Sequence, residues 1–144
     1  MNTEDQITSV DNNMQVLTEK MKVEPVASFL NMRLVELKSG YARVTMELLP
    51  QYQNFNGFIF GGIITSVADQ AFAYASNSLA YPSVATQFNI HFISGASTGD
   101  TLTAECRVVK NGRRVGISEI TVTNQHDKLI ARATGTTIPI STNK

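Results

Sequence analysis

What the chain has least of, through its middle third, is charge. The stretch from Leu48 to Gly99 holds one charged side chain, Asp69. At 17% charged residues overall, a window of that length should contain about nine, so the sequence predicts a segment withdrawn from water. Asp69 is then an exception that needs a cause. Other absences narrow the class of protein. The formal net charge is zero, which favours neither nucleic acid nor an anionic membrane as a partner. No apolar run approaches the ~20 residues of a membrane span, and Met1-Asn2-Thr3-Glu4-Asp5 leads into no signal-like apolar core. With a single cysteine, Cys106, these features predict a cytoplasmic protein. His91, His126 and Cys106 are too few and too scattered for a metal site, so none is expected. Gly95-Ala96-Ser97-Thr98-Gly99 has the Gly-x-Ser-x-Gly spacing, but the strand-like alternation of Leu102 to Val108 follows it where the elbow of a serine hydrolase opens a helix, and both glycine-rich nucleotide signatures are missing.

What is present suits one domain, 1–144: the chain is 42% hydrophobic, enough for a core, with a polar opening, 1–12, expected to be frayed. Val16, Leu17, Met21, Val26, Phe29 and Leu30 recur at helical spacing, and Pro25 divides that stretch into two short helices. Leu34–Leu37 and the strictly alternating Ala42–Leu48, joined by Ser39-Gly40, read as a hairpin. A long helix over about 61–80 follows from Ile63, Ile64, Val67, Ala68, Ala71, Phe72, Tyr74, Ala75 and Leu79. Its other face carries Thr65, Ser66, Asp69, Gln70, Ala73, Ser76 and Asn77, with neither Lys nor Glu, which predicts cover by a second protein surface or a ligand.

Beyond Tyr81-Pro82 come about four strands. Val84, Thr86, Phe88, Ile90 and Phe92 share one face of the first, and Leu102, Ala104, Cys106 and Val108 one face of the next. Asn111-Gly112 signals a tight hairpin turn into 113–124, where Val115 and Ile117 fall out of phase with Ile120 and Val122, as a bulge or two-sided burial would require. Leu129–Ile138 is the last strand. The order predicts an α+β domain, an antiparallel sheet curled around the long helix.

Glycines before the long helix leave its first N–H groups uncovered, a site suited to an anion or oxyanion. Asp69 lies eight residues past Gly61, about 12 Å along the axis, so one helix cannot bring both to one reacting atom. Two copies packed antiparallel across a two-fold axis could. Asp69 itself reads as a surface carboxylate, a hydrogen-bonded structural acid or a catalytic group, and its isolation removes most of the first reading.

Asn54, Gly57, Phe60, Gly61, Gly62 and Asp69 stand at the spacing Asn-x-x-Gly-x-x-His-Gly-Gly with Asp eight positions after the first paired glycine. This pattern resembles that of hotdog-fold acyl-CoA thioesterases of the phenylacetic-acid-degradation (PaaI-like) type, over about residues 30–140, with Phe60 where the family usually has His. The resemblance implies the hotdog fold, a dimer or dimer of dimers that joins two sheets and sets two central helices side by side, and hydrolysis of an acyl-CoA with an aromatic or medium-chain acyl group. It assigns Asp69 as nucleophile or general base, the Gly61 N–H to the thioester oxygen, with Gly62 beside it on the substrate, and Asn54 to water or acyl carbonyl. Thr86 falls where a small hydroxyl residue stands near the acid, and basic residues at the hairpin, here Lys110, Arg113 and Arg114, can meet coenzyme A phosphates. No cofactor is implied beyond coenzyme A as part of the substrate.

Each role has a plainer rival. Asn54 fits a turn residue, Thr86 an inward strand residue, the cations a solvated hairpin tip, and Phe60 a hydrophobic staple. Phe60 cannot donate the hydrogen bond of the usual His, which leaves a slower thioesterase, a reshaped acyl pocket, or an acyl-CoA-binding protein without catalysis. A hotdog dehydratase lacks its His-x-x-x-x-Pro-Gly pattern here. Phe58, Phe60, Phe72 and Tyr74 are candidates to line the acyl pocket.

Overall fold

The computed structural model describes residues 3–141, with the side chains of 3–10 and 13 left aside. Helix α1, Thr3–Met21, reaches back into the stretch expected to be frayed, and α2, Pro25–Phe29, starts at the predicted break. Strands β1 (Met32–Lys38) and β2 (Tyr41–Glu47) form the first hairpin, and a single 3-10 turn, Pro50–Tyr52, leads toward α3, Gly61–Leu79. Four strands complete the chain: β3 (Ser83–Phe92), β4 (Thr101–Asn111), β5 (Gly116–Thr123) and β6 (Leu129–Pro139). All pairings are antiparallel, in the order β1-β2-β4-β5-β6-β3, so β3, first of the last four in sequence, closes one edge.

The core lies between α3 and the inner face of the sheet. Val44, Met46, Leu102, Ala104, Cys106, Ile120, Val122, Ala131 and Ala133 meet Val67, Ala68, Ala71, Phe72 and Ala75 of the helix, all buried. The alanines of α3 let helix and sheet approach closely. Phe72, 1% exposed, fills the remaining gap, and Gly135 makes its room: a Cβ at 135 would lie 2.4 Å from Phe72 Cζ. Truncating such a buried ring costs about 3–5 kcal/mol.

Three local expectations are corrected. The Asn111-Gly112 turn is not a two-residue hairpin: Asn111 pairs with Gly116, leaving a four-residue connection, 112–115, closed by Gly112 N–H donating to Val115 O at 3.0 Å. A two-residue turn of that type needs positive φ at both central residues, which neither Asn111 nor Gly112 has. The phase change in β5 is neither a bulge nor two-sided burial. Ser118, Ile120 and Val122 point inward while Ile117 points outward, and Val115 belongs to the connection. Finally, the uncharged stretch is not hidden within one chain: Phe55, Phe58, Phe60, Val84, Phe92 and Ile93 are exposed, as is most of β3.

Candidate active site

The loop before α3 is laced by Asn54. Its side-chain oxygen accepts from the backbone N–H of Asn56 and Phe58 at 2.9 and 3.1 Å, while its own N–H donates to Phe58 O at 2.7 Å. The plainer reading of Asn54 therefore describes its oxygen, which is spent on the turn. A second tie, Phe60 N–H to Tyr52 O at 2.9 Å, fixes where the helix begins.

At that beginning the N-cap is Phe60, in extended conformation and with no side-chain capping bond, so the first N–H groups of α3 are left open. Two aromatic rings lie close to the paired glycines. A Cβ at Gly62 would meet Phe60 Cε1 at 2.5 Å, and one at Gly61 would meet Phe92 Cζ at 3.2 Å. Gly61 also lines a cleft of about 320 Å³ walled by Phe58, Ile59, Ile64, Phe92 and Ile93. The open N–H groups thus sit in apolar surroundings, where a helix N-terminus interacts more strongly with developing negative charge than it would in water.

Asp69 is exposed in the single chain, and surrounding protein nevertheless pushes its carboxyl above the ordinary value by displacing water from one side. Its expected burial is corrected accordingly: the carboxylate stands at the rim of the α3 surface. Thr65 and Ser66, on the same side, spend their hydroxyls on Gly61 O (2.9 Å) and Gly62 O (2.7 Å). The second face is narrower than the sequence implied, because Gln70 and Ser76 are buried and only Thr65, Ser66, Asp69, Ala73 and Asn77 remain at or near the surface.

Thr86 is the extra residue where β3 shifts register between Ala85 and Gln87; it is exposed, with its hydroxyl 3.4 Å from Thr136 O. Arg113 and Arg114 stand exposed on the 112–115 connection and Lys110 just before it, and among the described residues no ion pair engages them. Of the four aromatic candidates, Phe58 lines the cleft and Phe60 flanks it, whereas Phe72 is core and Tyr74 faces the N-terminal helices. Cys106 is no rival nucleophile, since burial pushes its thiol up to about 12. Among the described residues no group of three or more His, Cys, Asp or Glu could hold a metal, and no helix is long and apolar enough to cross a membrane.

Sequence reasoning missed one polar cluster. Glu24, at the elbow between α1 and α2, accepts hydrogen bonds from Tyr74 Oη and from Gln70 Nε2, the latter at 2.8 Å. Burial and the Glu24 carboxylate together raise the Tyr74 hydroxyl far above its ordinary value, so it stays a donor. Gln70 and Tyr74 at i, i+4 were a visible signal, but Glu24 lies 46 residues upstream and nothing local pairs it with them.

With this geometry in place, the chain can be set beside known proteins. The model of the thioesterase superfamily matches residues 56–131, and the chain belongs to that family. The acyl-coenzyme A thioesterase PaaI of Escherichia coli strain K12 is 37% identical over 105 residues, covering 73% of this chain and 75% of that protein. The solved structure of the E. coli PaaI protein from the phenylacetic acid degradation operon has a TM-score of 0.85 at 32% identity, over 90% of this chain and 94% of that one. A Streptococcus mutans UA159 protein solved bound to acetyl CoA gives a TM-score of 0.75 at 33% identity, over 81% and 94% of the two chains. The fold is thus the hotdog fold, and the PaaI-like resemblance drawn from Asn54 to Asp69 holds over most of the chain.

Proposed function

We propose that this chain hydrolyses acyl-CoA thioesters to a carboxylic acid and free coenzyme A, acting as a two-fold homo-oligomer whose sites each join Gly61 of one protomer to Asp69 of its partner. The observation that carries this reading is the division of the machinery along α3. Open N–H groups sit at one end and the solitary carboxylate about 12 Å further on, too far apart to share a carbonyl within one protomer. Antiparallel packing brings each to the other's partner.

Edge strand β3 supports such packing. Its sequence, Ser83–Phe92, carries no Asp, Glu, Lys or Arg, and among the described residues it pairs only with β6. Natural sheets guard free edges with charge, proline or cover, and an unguarded ten-residue edge is suited to pairing with another chain.

In the reaction, Asp69 takes a proton from water whose oxygen attacks the thioester carbon, or the carboxylate attacks directly and water later cleaves the anhydride. Either way the carbonyl oxygen gains charge against the Gly61 N–H, the C–S bond breaks, and coenzyme A leaves as a thiolate that is then protonated. Gly62 and the Phe60 ring border the thioester, Asn54 holds the loop through its oxygen and leaves its amide N–H₂ to donate, and Thr86 lies on the pairing edge. Arg113 and Arg114 meet the phosphates, and no cofactor acts beyond coenzyme A itself. The names of the relatives and the bound acetyl CoA of one of them support the substrate class. An aromatic or medium-chain acyl group and a cytoplasmic location complete the reading.

The second reading, an acyl-CoA-binding protein without catalysis, rests on Phe60, whose ring replaces a donor beside the glycines. Thiol release from a panel of acyl-CoAs separates the two. The shared site has its own test. Asp69→Asn and Gly61→Pro are each expected to be inactive, the latter losing its N–H at a position where helices tolerate proline. Mixed after co-refolding, they should regain about a quarter of wild-type activity, because half the dimers are mixed and each mixed dimer has one intact site. No recovery in mixed dimers would place both groups within one protomer and overturn the arrangement.

A further inference from the structure

Asp69, Ala73 and Asn77 lie on one face of α3, Ala73 one turn (~5.4 Å) and Asn77 two turns past the carboxylate. Ala73 and Asn77 also line a second cavity, of about 460 Å³, formed where α1 and α2 pack across the helix. Its volume falls within the ~300–1,000 Å³ typical of small-molecule pockets. Leu17, Met21, Val23, Tyr74 and Tyr81 supply much of its wall. Its carboxylate, Glu24, is already occupied by Tyr74 Oη and Gln70 Nε2, and its other charged lining residue, Lys20, is exposed to solvent, so the buried part of this wall is organised internally.

We propose that this cavity receives the acyl group and that Ala73 is the residue that sets how large an acyl group enters. The inference rests on the thioesterase reading above. A thioester carbonyl held beside Asp69 has two arms, and two spaces flank the composite site. One is the cleft beside the partner's glycine turn, the other the cavity reached past Ala73. Coenzyme A must extend outward to the exposed cations, whereas the acyl group needs an apolar enclosure. Ala73, the smallest apolar side chain of that cavity's lining, lies one helical turn past Asp69. A larger one there would close the passage.

The test compares octanoyl-CoA with acetyl-CoA in wild type, Ala73→Leu and Met21→Ala, with sedimentation to verify that assembly is retained. In Ala73→Leu the octanoyl-to-acetyl ratio of kcat/KM should fall by at least about 10-fold, the low end of what a single methylene of misfit costs in an apolar pocket, since leucine adds three carbons. Met21→Ala, which widens the cavity from α1, should raise the ratio, and it decides alone if Ala73→Leu fails to assemble. Ratios that stay within about twofold in both variants, or that respond instead to Phe92→Ala beside Gly61, would overturn the assignment. If no acyl-CoA is hydrolysed, the functional reading fails separately. The same ratio is then read from the Kd of non-hydrolysable acetyl and octanoyl thioether analogues by calorimetry.

Discussion

The two ends of α3 are finished in opposite ways. At the start, Phe60 caps nothing, two glycines present bare N–H groups, and the neighbouring rings are exposed to 53% or more. In the second half nearly every polar atom is tied down. Ser76 donates to Phe72 O, Asn77 bonds Ala73 O and Ser83 N–H, Ser78 donates to Ala75 O, and Tyr74 and Gln70 close on Glu24. An end whose donors are left open is costly as structure and useful as chemistry. A saturated end is cheap and specifies how α1 and α2 lie. Asp69 falls between the two, exposed like the first and crowded like the second.

The sharpest way to break this contrast is at its midpoint. Asp69→Asn should lower kcat by about 10²- to 10⁴-fold with acyl-CoA binding retained, since the amide keeps the volume and removes charge and basicity. Activity that survives the change would show that the chemistry lies elsewhere. At the saturated end, Tyr74→Phe should cost about 1.5–3 kcal/mol of stability, the usual worth of a hydrogen bond to a charged group, measured by urea unfolding. A cost near zero would mean that the network follows the packing and does not hold it.

Smaller effects belong to the periphery. Arg113→Ala with Arg114→Ala should raise KM by up to about tenfold, as expected of one or two exposed charge pairs, and leave kcat nearly unchanged because phosphate contacts serve ground and transition states alike. A KM that is unmoved at low salt returns the pair to a solvated loop tip. Smallest is the effect of Asp69 on stability. Folding raises its carboxyl above the unfolded value, so the group favours the fold fully below the unfolded pKa of about 4, and that contribution is lost as pH rises through the folded one. Asp69→Asn should therefore melt above wild type at neutral pH, with the gap closing in acid, as followed by calorimetry.

Much of this was legible in the sequence where a single element carried its own signal. The glycines and the spacing from Ile63 to Leu79 placed α3 within one residue, at 61–79 against 61–80. The alternation from Leu102 to Cys106 likewise marked an inward face that is fully buried. What misled was context. Gln70 and Ser76 look like surface residues until Glu24 and the sheet enclose them. Ser118 looks polar but points inward, which shifted the apparent phase of β5. Asn111-Gly112 carries a strong local turn preference, yet the register imposed by the bulge at Val108/Lys110 moves the closure to Gly116. For the site, spacing identified the candidate groups but not their state: that Asn54 spends its oxygen on its own loop depends on the fold of 54–58, and the exposure of Asp69 on what surrounds α3.

The contact between Phe72 and Gly135 ties together the histories of two positions 63 residues apart in the chain. Neither can vary first without loss. A methyl group at 135 collides with the ring of Phe72, which is buried and has little room to yield, and a smaller residue at 72 opens a void. Made together, however, Phe72→Leu and Gly135→Ala fill each other's error, so their combined cost should be less than the sum of the two alone. Among related chains, a side chain at the position of 135 is then a forecast of something smaller than phenylalanine at the position of 72, and the pair can be expected to change as a unit or not at all.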